Sequence, residues 1–202
     1  MSPGAAPELY VVTGASGVGK TTTLRWLRDH GGIRFHGEAH TGMVRSLGAR
    51  THGHPPDEYF RRIDDPGHFC PLCRGREFRE MVVAAPKALE AGAATGDFVD
   101  RGILDPIEFF LRHSGAPDTA IPDGDWQPVG RYRIVFLFEV MPGLQRPKWG
   151  RSAEERIAEA LMIEQRLARI YASRGHDVVR VPPGEVAWRA SFVASSVAGR
   201  SA

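Results

Sequence analysis

Gly14-Ala15-Ser16-Gly17-Val18-Gly19-Lys20-Thr21 fills every fixed position of the pattern G-x-x-x-x-G-K-[ST] and follows the apolar run Leu9-Tyr10-Val11-Val12. A buried strand ending in a glycine-rich turn lets successive backbone N–H groups converge on a polyphosphate. A helix starting near Gly19 turns its positive dipole end to the same anion. Lys20 is then expected to reach the β- and γ-phosphates, and Thr21 to offer its hydroxyl to Mg²⁺. The predicted nucleotide-binding set is this loop together with Thr22.

Beyond the loop, residues 22–30 read as a helix that carries Leu24, Trp26 and Leu27 toward the sheet and closes at Gly31-Gly32. Ile33-Arg34-Phe35-His36 alternates as a short second strand leading to Gly37-Glu38. Ligands of open parallel sheets gather at the carboxyl ends of the strands, so Glu38 is a functional candidate. The pattern weakens over 41–76, which reads as an inserted helical flap. Residues 77–91 resume the helical period, with Pro86 expected to bend that helix or delay its start. Phe98-Val99 leads into Asp100-Arg101-Gly102, and 103–113 follow as a helix with Ile107, Phe110 and Leu111 inward.

After a loop rich in Pro, Gly and Asp at 114–130, Ile134-Val135-Phe136-Leu137-Phe138 is the near-continuous apolar run of a parallel strand covered on both faces. Ser152, with Glu155 three residues on, predicts a capping box for a long helix whose expected inner stripe is Ile157, Leu161, Leu167, Ile170 and Tyr171. A strand at 178–181 and a helix at 185–195 complete the alternation. The whole predicts an α/β fold: a doubly wound, mostly parallel five-stranded sheet in one domain over residues 1–202, with the flap at about 41–76 and a lid at about 142–156.

A net charge of +2, spread along the chain without a dense basic block, speaks against a nucleic-acid partner. No apolar run approaches the ~20 residues of a membrane span, and the first residues lack a basic segment followed by a long apolar core, so a cytoplasmic protein without a membrane partner is expected. Two cysteines are too few for a secreted disulfide scaffold. Cys70-Pro71-Leu72-Cys73 has the spacing of half a zinc knuckle with His52, His54 and His68 nearby. Cys70, Cys73 and His68 are therefore candidate Zn²⁺ ligands, against a redox dithiol or two plain reduced thiols. With no asparagine in the chain there is no Asn-Lys-x-Asp motif to read guanine, which disfavours a GTPase; ATP is the expected nucleotide.

Asp100-Arg101 stands at a strand end, where P-loop proteins place the acid that orients Mg²⁺ or accepts the proton of an attacking hydroxyl. The phosphate loop, Glu38 and the run Asp100-Arg101-Gly102-Ile103-Leu104-Asp105-Pro106-Ile107-Glu108-Phe109-Phe110 together resemble the bacterial AAA-type predicted ATPases, close kin of the P-loop nucleoside and nucleotide kinases. In that group an aromatic run precedes Asp-Arg-Gly, and two or three residues later come an Asp and an aromatic helix. The acid–arginine pair after the third strand is also similar to thymidylate kinase and the deoxynucleoside kinases. The resemblance covers most of the chain and is strongest at the loop and at 97–110. It departs at Thr41, where the group often carries an arginine.

The resemblance implies that Arg146, Lys148, Arg151 and Arg156 belong to a lid whose arginines close over the transferring phosphoryl group, Arg146 and Arg151 foremost. These readings lead to an ATP-dependent, Mg²⁺-requiring phosphotransferase acting on a small molecule such as a nucleoside, a nucleotide or another hydroxyl- or phosphate-bearing metabolite. Lys20 and the loop amides hold the donor, Thr21 and Asp100 hold Mg²⁺, Glu38 or Asp100 takes the acceptor proton, and Arg101 orients the acceptor. The rival is a nucleotide switch or regulatory ATPase that uses 41–76 to bind a protein partner. A homodimer is compatible with both.

Overall fold

In the computed structural model, which describes residues 6–39, 76–114, 126–148 and 150–200, β1 (Glu8–Thr13) lies at the middle of a sheet. Its neighbours are β2 (Phe35–His36), β3 (Phe98–Asp100), β4 (Arg131–Phe138) and β5 (Val178–Val181), in the order β2-β3-β1-β4-β5. Every pairing is parallel. Parallel strands need crossovers, and helices supply them: α1 (Lys20–Gly31), α2 (Arg76–Ala91), α3 (Asp105–Ser114), α4 (Ala153–Ser173) and α5 (Val186–Ala198). α1 packs with α5 and α3 with α4, so helices flank the sheet. This is why β1 and β4 read as apolar runs: Leu9, Val11, Val12 and Ile134 through Phe138 are all fully or nearly fully buried.

The register sets the site. Val12 pairs with Asp100 and Thr13 with Leu137, so the carboxyl ends of β1, β3 and β4 share one edge of the sheet. On β2 only Phe35 and His36 pair with β3, a shorter strand than the expected 33–36, and Glu38 follows at the same edge. Leu24 and Leu27 bury α1 against the core, about 1.5–3 kcal/mol each. Gly32 ends that helix in the left-handed region at φ 64° and donates to Arg28 O.

The capping box at the start of α4 forms as expected. Glu155 N donates to Ser152 Oγ at 3.2 Å and Ser152 N donates to Glu155 Oε2 at 2.7 Å. The inner stripe of α4 differs from the expected one. Leu161 is 44% exposed, and the buried positions are Ala160, Ile163, Glu164, Leu167, Ile170 and Tyr171. One residue turns a helix by about 100°, so Ala160 faces in and Leu161 faces out. Glu164 lies on the buried face because Val140 N and Arg180 Nη1 donate to its two carboxylate oxygens at 2.8 and 2.7 Å. Pro86 lies inside α2 without delaying its start, because a proline deep in a helix removes one backbone bond and leaves the preceding turns intact. The flap expected at about 41–76 falls outside the described residues except for Arg76, where α2 begins.

Candidate active site

The phosphate loop leaves β1 and turns into α1 through three glycines in the left-handed region, Gly14, Gly17 and Gly19. Lys20 is buried, and its ammonium donates to Gly14 O at 2.9 Å and Ala15 O at 2.7 Å. Burial, with the nearby Arg101 guanidinium, holds this ammonium down to about 8. Thr21 Oγ1 donates to Asp100 Oδ2 at 2.6 Å, while Ala15 is buried, Ser16 and Thr22 are exposed and Val18 packs into the core.

Asp100 is 2% exposed, and its Oδ1 has no hydrogen-bond partner among the described residues. A buried carboxylate oxygen without a partner costs stability unless a cation or donor meets it. Together with the Thr21 hydroxyl it makes a hard oxygen pair that suits Mg²⁺, which binds through one or two carboxylates plus phosphate oxygens and water. The residues present therefore fit the ion.

Arg101 is the non-glycine residue at positive φ, 72°, among the described residues. An L side chain there costs roughly 1–2 kcal/mol, and the surroundings hold it in place. Arg101 N donates to Val12 O at 2.9 Å, Nη1 donates to Asp105 Oδ1 at 3.0 Å, and Nε lies 2.9 Å from Glu38 Oε1. Burial disfavours the charge, but the carboxylates of Glu38, Asp105 and Asp100 outweigh it and hold the guanidinium above its ordinary value.

Asp105 organises this corner. Besides Arg101 it accepts from Thr13 Oγ1 at 2.7 Å, Tyr171 Oη at 2.6 Å and Gly102 N at 3.2 Å. Next to it Tyr132 accepts from Ile103 N at 2.9 Å and donates to Glu90, which also accepts from Val129 N at 2.9 Å. Gly102 is boxed in: a Cβ would sit 2.8 Å from both the Tyr132 and Tyr171 hydroxyls. Sequence reasoning gave Asp105 no role in the site and Tyr171 only a place on the inner stripe of the long helix. Asp105 was visible as the second acid of the Asp-Arg-Gly motif, whereas Tyr171 comes from α4 and carries no local signal.

The structure brings Lys20, Thr21, Glu38, Asp100 and Arg101 together. Arg146 and Arg151 take other partners: Arg146 is exposed and donates to Gly143 O at 2.7 Å, and Arg151 Nη1 lies 2.7 Å from Glu159 Oε2. Glu159 also pairs with Arg112 at 3.0 Å, and Glu108 lies 3.3 Å from Arg112 and 3.7 Å from Arg166, so a charged network runs along α3 and α4. Two further residues escaped sequence reasoning. Gln145 donates to Ser16 O at 3.2 Å, and the buried Arg189 of α5 donates to Val18 O at 2.5 Å. His68, Cys70 and Cys73 lie outside the described residues, as do His40, Thr41 and Arg45.

A parallel sheet with this glycine-rich loop leaving its central strand has the fold of P-loop proteins. The model of an AAA domain family matches residues 9–189, and the chain belongs to that family. A search of curated proteins returned no match. Among solved structures, the chain is similar to deoxyadenosine kinase from M. mycoides with products dCMP and a flexible dCDP bound, at TM-score 0.51 and 10% identity, over 95% of this chain and 98% of that one. The same enzyme with bound dATP gives 0.50 and 13%, over 94% and 98%. Thymidylate kinase from Ehrlichia chaffeensis gives 0.49 and 14%, over 95% and 98%. At these identities the similarity concerns the fold.

Proposed function

We propose that this protein is an ATP-dependent, Mg²⁺-requiring phosphotransferase acting on a small molecule that bears a hydroxyl or phosphate group. The observation that carries the reading is the meeting, at one sheet edge, of the phosphate loop, the unpartnered oxygen of Asp100 beside Thr21, and Arg101 facing Glu38. Phosphoryl transfer asks a protein mainly for positioning and charge stabilisation.

In this reading the loop amides and Lys20 bind the donor phosphates, Lys20 leaving its carbonyl partners for them. Thr21 and Asp100 hold Mg²⁺, which when bound offsets charge on the phosphate oxygens. Arg101 orients the acceptor. The acceptor oxygen forms a bond to the γ-phosphorus, the bond from that phosphorus to the β–γ bridging oxygen breaks, and ADP leaves with the electron pair. The acceptor proton passes to Glu38, which is a third exposed and held by Arg101, whereas Asp100 is buried, with one oxygen on Thr21 and the other assigned to Mg²⁺. Arg146 and Arg151 swing in from the lid to meet the phosphoryl group. One domain at a cytoplasmic location completes the proposal. Among the described residues no helix is long and apolar enough to cross a membrane.

The test is ADP release from MgATP against a panel of nucleosides, nucleotides, vitamins and antibiotics. At least one acceptor should raise turnover well above the rate with water alone. Full hydrolysis with water, indifferent to every acceptor and raised by a protein partner, would replace this reading by the nucleotide switch.

A further inference from the structure

Two side chains from distant parts of the chain donate to carbonyls of the phosphate loop. Gln145, 3% exposed, follows the 3₁₀ turn Pro142–Leu144 and donates through Nε2 to Ser16 O at 3.2 Å. Arg189, 1% exposed, donates through Nη1 to Val18 O at 2.5 Å and to Met141 Sδ at 3.0 Å, and through Nη2 to Val181 O at 3.3 Å. Its guanidinium lies over the Phe138 ring, 4.3 Å from the centroid, and its Nε is buried without a hydrogen-bond partner among the described residues.

Both contacts fall on carbonyls two residues apart, and in each the donor lies close against the glycine that follows. A Cβ at Gly17 would sit 3.3 Å from Gln145 Nε2, and one at Gly19 would sit 3.3 Å from Arg189 Nη1. In a planar trans peptide the C=O and the next N–H point in opposite directions. A donor that fixes Ser16 O on the outside therefore fixes Gly17 N–H toward the inside, and one that fixes Val18 O does the same for Gly19 N–H. The partners also polarise these two peptide units, since hydrogen bonds in series strengthen one another.

We propose that Gln145 and Arg189 are positioning residues of the phosphate loop, which hold the Ser16 and Val18 carbonyls outward so that Gly17 N–H and Gly19 N–H face a bound polyphosphate. This rests on the reading that the loop binds the phosphates of a nucleotide. It adds a dependence of that site on the lid segment and on the last helix, neither of which contains the phosphate-binding motif. Arg189 carries a full charge in an apolar setting, so its contact should be the stronger of the two.

The test uses isotope-labelled full-length protein titrated with inorganic tripolyphosphate and, separately, with MgATP. In the wild type the Gly17 and Gly19 amide resonances should both respond to tripolyphosphate. Gln145→Leu should keep its fold, weaken both ligands about fivefold, and diminish the Gly17 response while sparing Gly19. Arg189→Lys should weaken both ligands roughly tenfold or more and diminish the Gly19 response. A purely structural role would lower the melting temperature and leave the Kd of the folded protein unchanged. Affinities within twofold of wild type, with both amides responding normally, would overturn the proposal. If Arg189→Lys does not fold, the Gln145→Leu arm decides alone. Wild-type protein that binds neither ligand would overturn the phosphate-binding reading itself, a result distinct from variants that bind as well as wild type.

Discussion

Thr21 Oγ1 donates to Asp100 Oδ2 at 2.6 Å, tying the first turn of α1 to the last residue of β3 just where the phosphate loop ends. Asp100→Asn keeps the shape and removes the charge that would face a cation. Mg²⁺-dependent turnover should fall roughly 100-fold or more, with the urea midpoint nearly unchanged. ADP release across a Mg²⁺ titration measures this. Turnover equal to wild type would make Asp100 a structural acid.

Lys20 spends its donors on Gly14 O and Ala15 O, so its stem and its charge can be separated experimentally. Lys20→Met retains the packing of the stem and leaves two carbonyls without their donor, which should cost about 1–2 kcal/mol of stability. Affinity for MgATP should drop roughly tenfold or more by calorimetry, because the point charge on the phosphates is gone. Undiminished affinity would remove Lys20 from the phosphate site.

Asp105 places Arg101, and Tyr171 places Asp105. Asp105→Asn should therefore lower acceptor-dependent kcat about tenfold or more and leave the Kd for ATP within about threefold, because the guanidinium it steadies is the group proposed to orient the acceptor. Tyr171→Phe should show a weaker form of the same split, with a stability loss of about 1 kcal/mol. A uniform loss of ATP binding in both variants would mean that the corner supports the whole site.

Arg146→Ala and Arg151→Ala should each slow acceptor-dependent ADP release about tenfold or more with ATP affinity little changed. The two should differ in stability. Arg151 pairs with the half-buried Glu159 at 2.7 Å, whereas Arg146 is exposed beside Gly143 O. Thermal unfolding should register Arg151→Ala and pass over Arg146→Ala. Turnover unaffected by either change would leave the arginines as surface charge.

The amino end of β3, away from the site, carries an acid-sensitive contact. Burial pushes the Asp97 carboxyl up, but Arg34, Ala94 N and His36, all bonded to it, outweigh burial and bring it down to about 2. A carboxyl depressed in the folded state contributes stability above its unfolded value and loses it as pH falls toward the folded one. Asp97→Asn should thus lower the urea midpoint near neutral pH, and the gap from wild type should narrow as pH falls from ~4 toward 2. A gap independent of pH across that window would assign the effect to packing.

What could be read without the structure is what the chain writes locally. The phosphate loop, Glu38 and Asp100 each stand at or just past the end of a strand, and strand ends in a parallel sheet converge, so their meeting was predictable from order alone. The stripe of α4 was misplaced by one residue at Leu161 because periodicity fixes the spacing of a helical face before it fixes which residue faces in. Tyr171, Gln145 and Arg189 act across long separations on Asp105, Ser16 and Val18, and no window of sequence holds both partners. Asp105 lies between these cases, since the Asp-Arg-Gly motif displays it but only the fold gives it four donors.

The bond from Arg189 to Val18 has a bearing on the order of events during synthesis. The phosphate loop is translated well before Arg189, the α5 residue that bonds to Val18. On a ribosome, a nascent chain stalled with α5 still in the exit tunnel should fail to retain an ATP analogue that the released chain holds. If the loop binds nucleotide as proposed, the ligand can act on folding only once α5 has emerged, and a chain truncated before Arg189 would keep its motif intact and have its binding impaired.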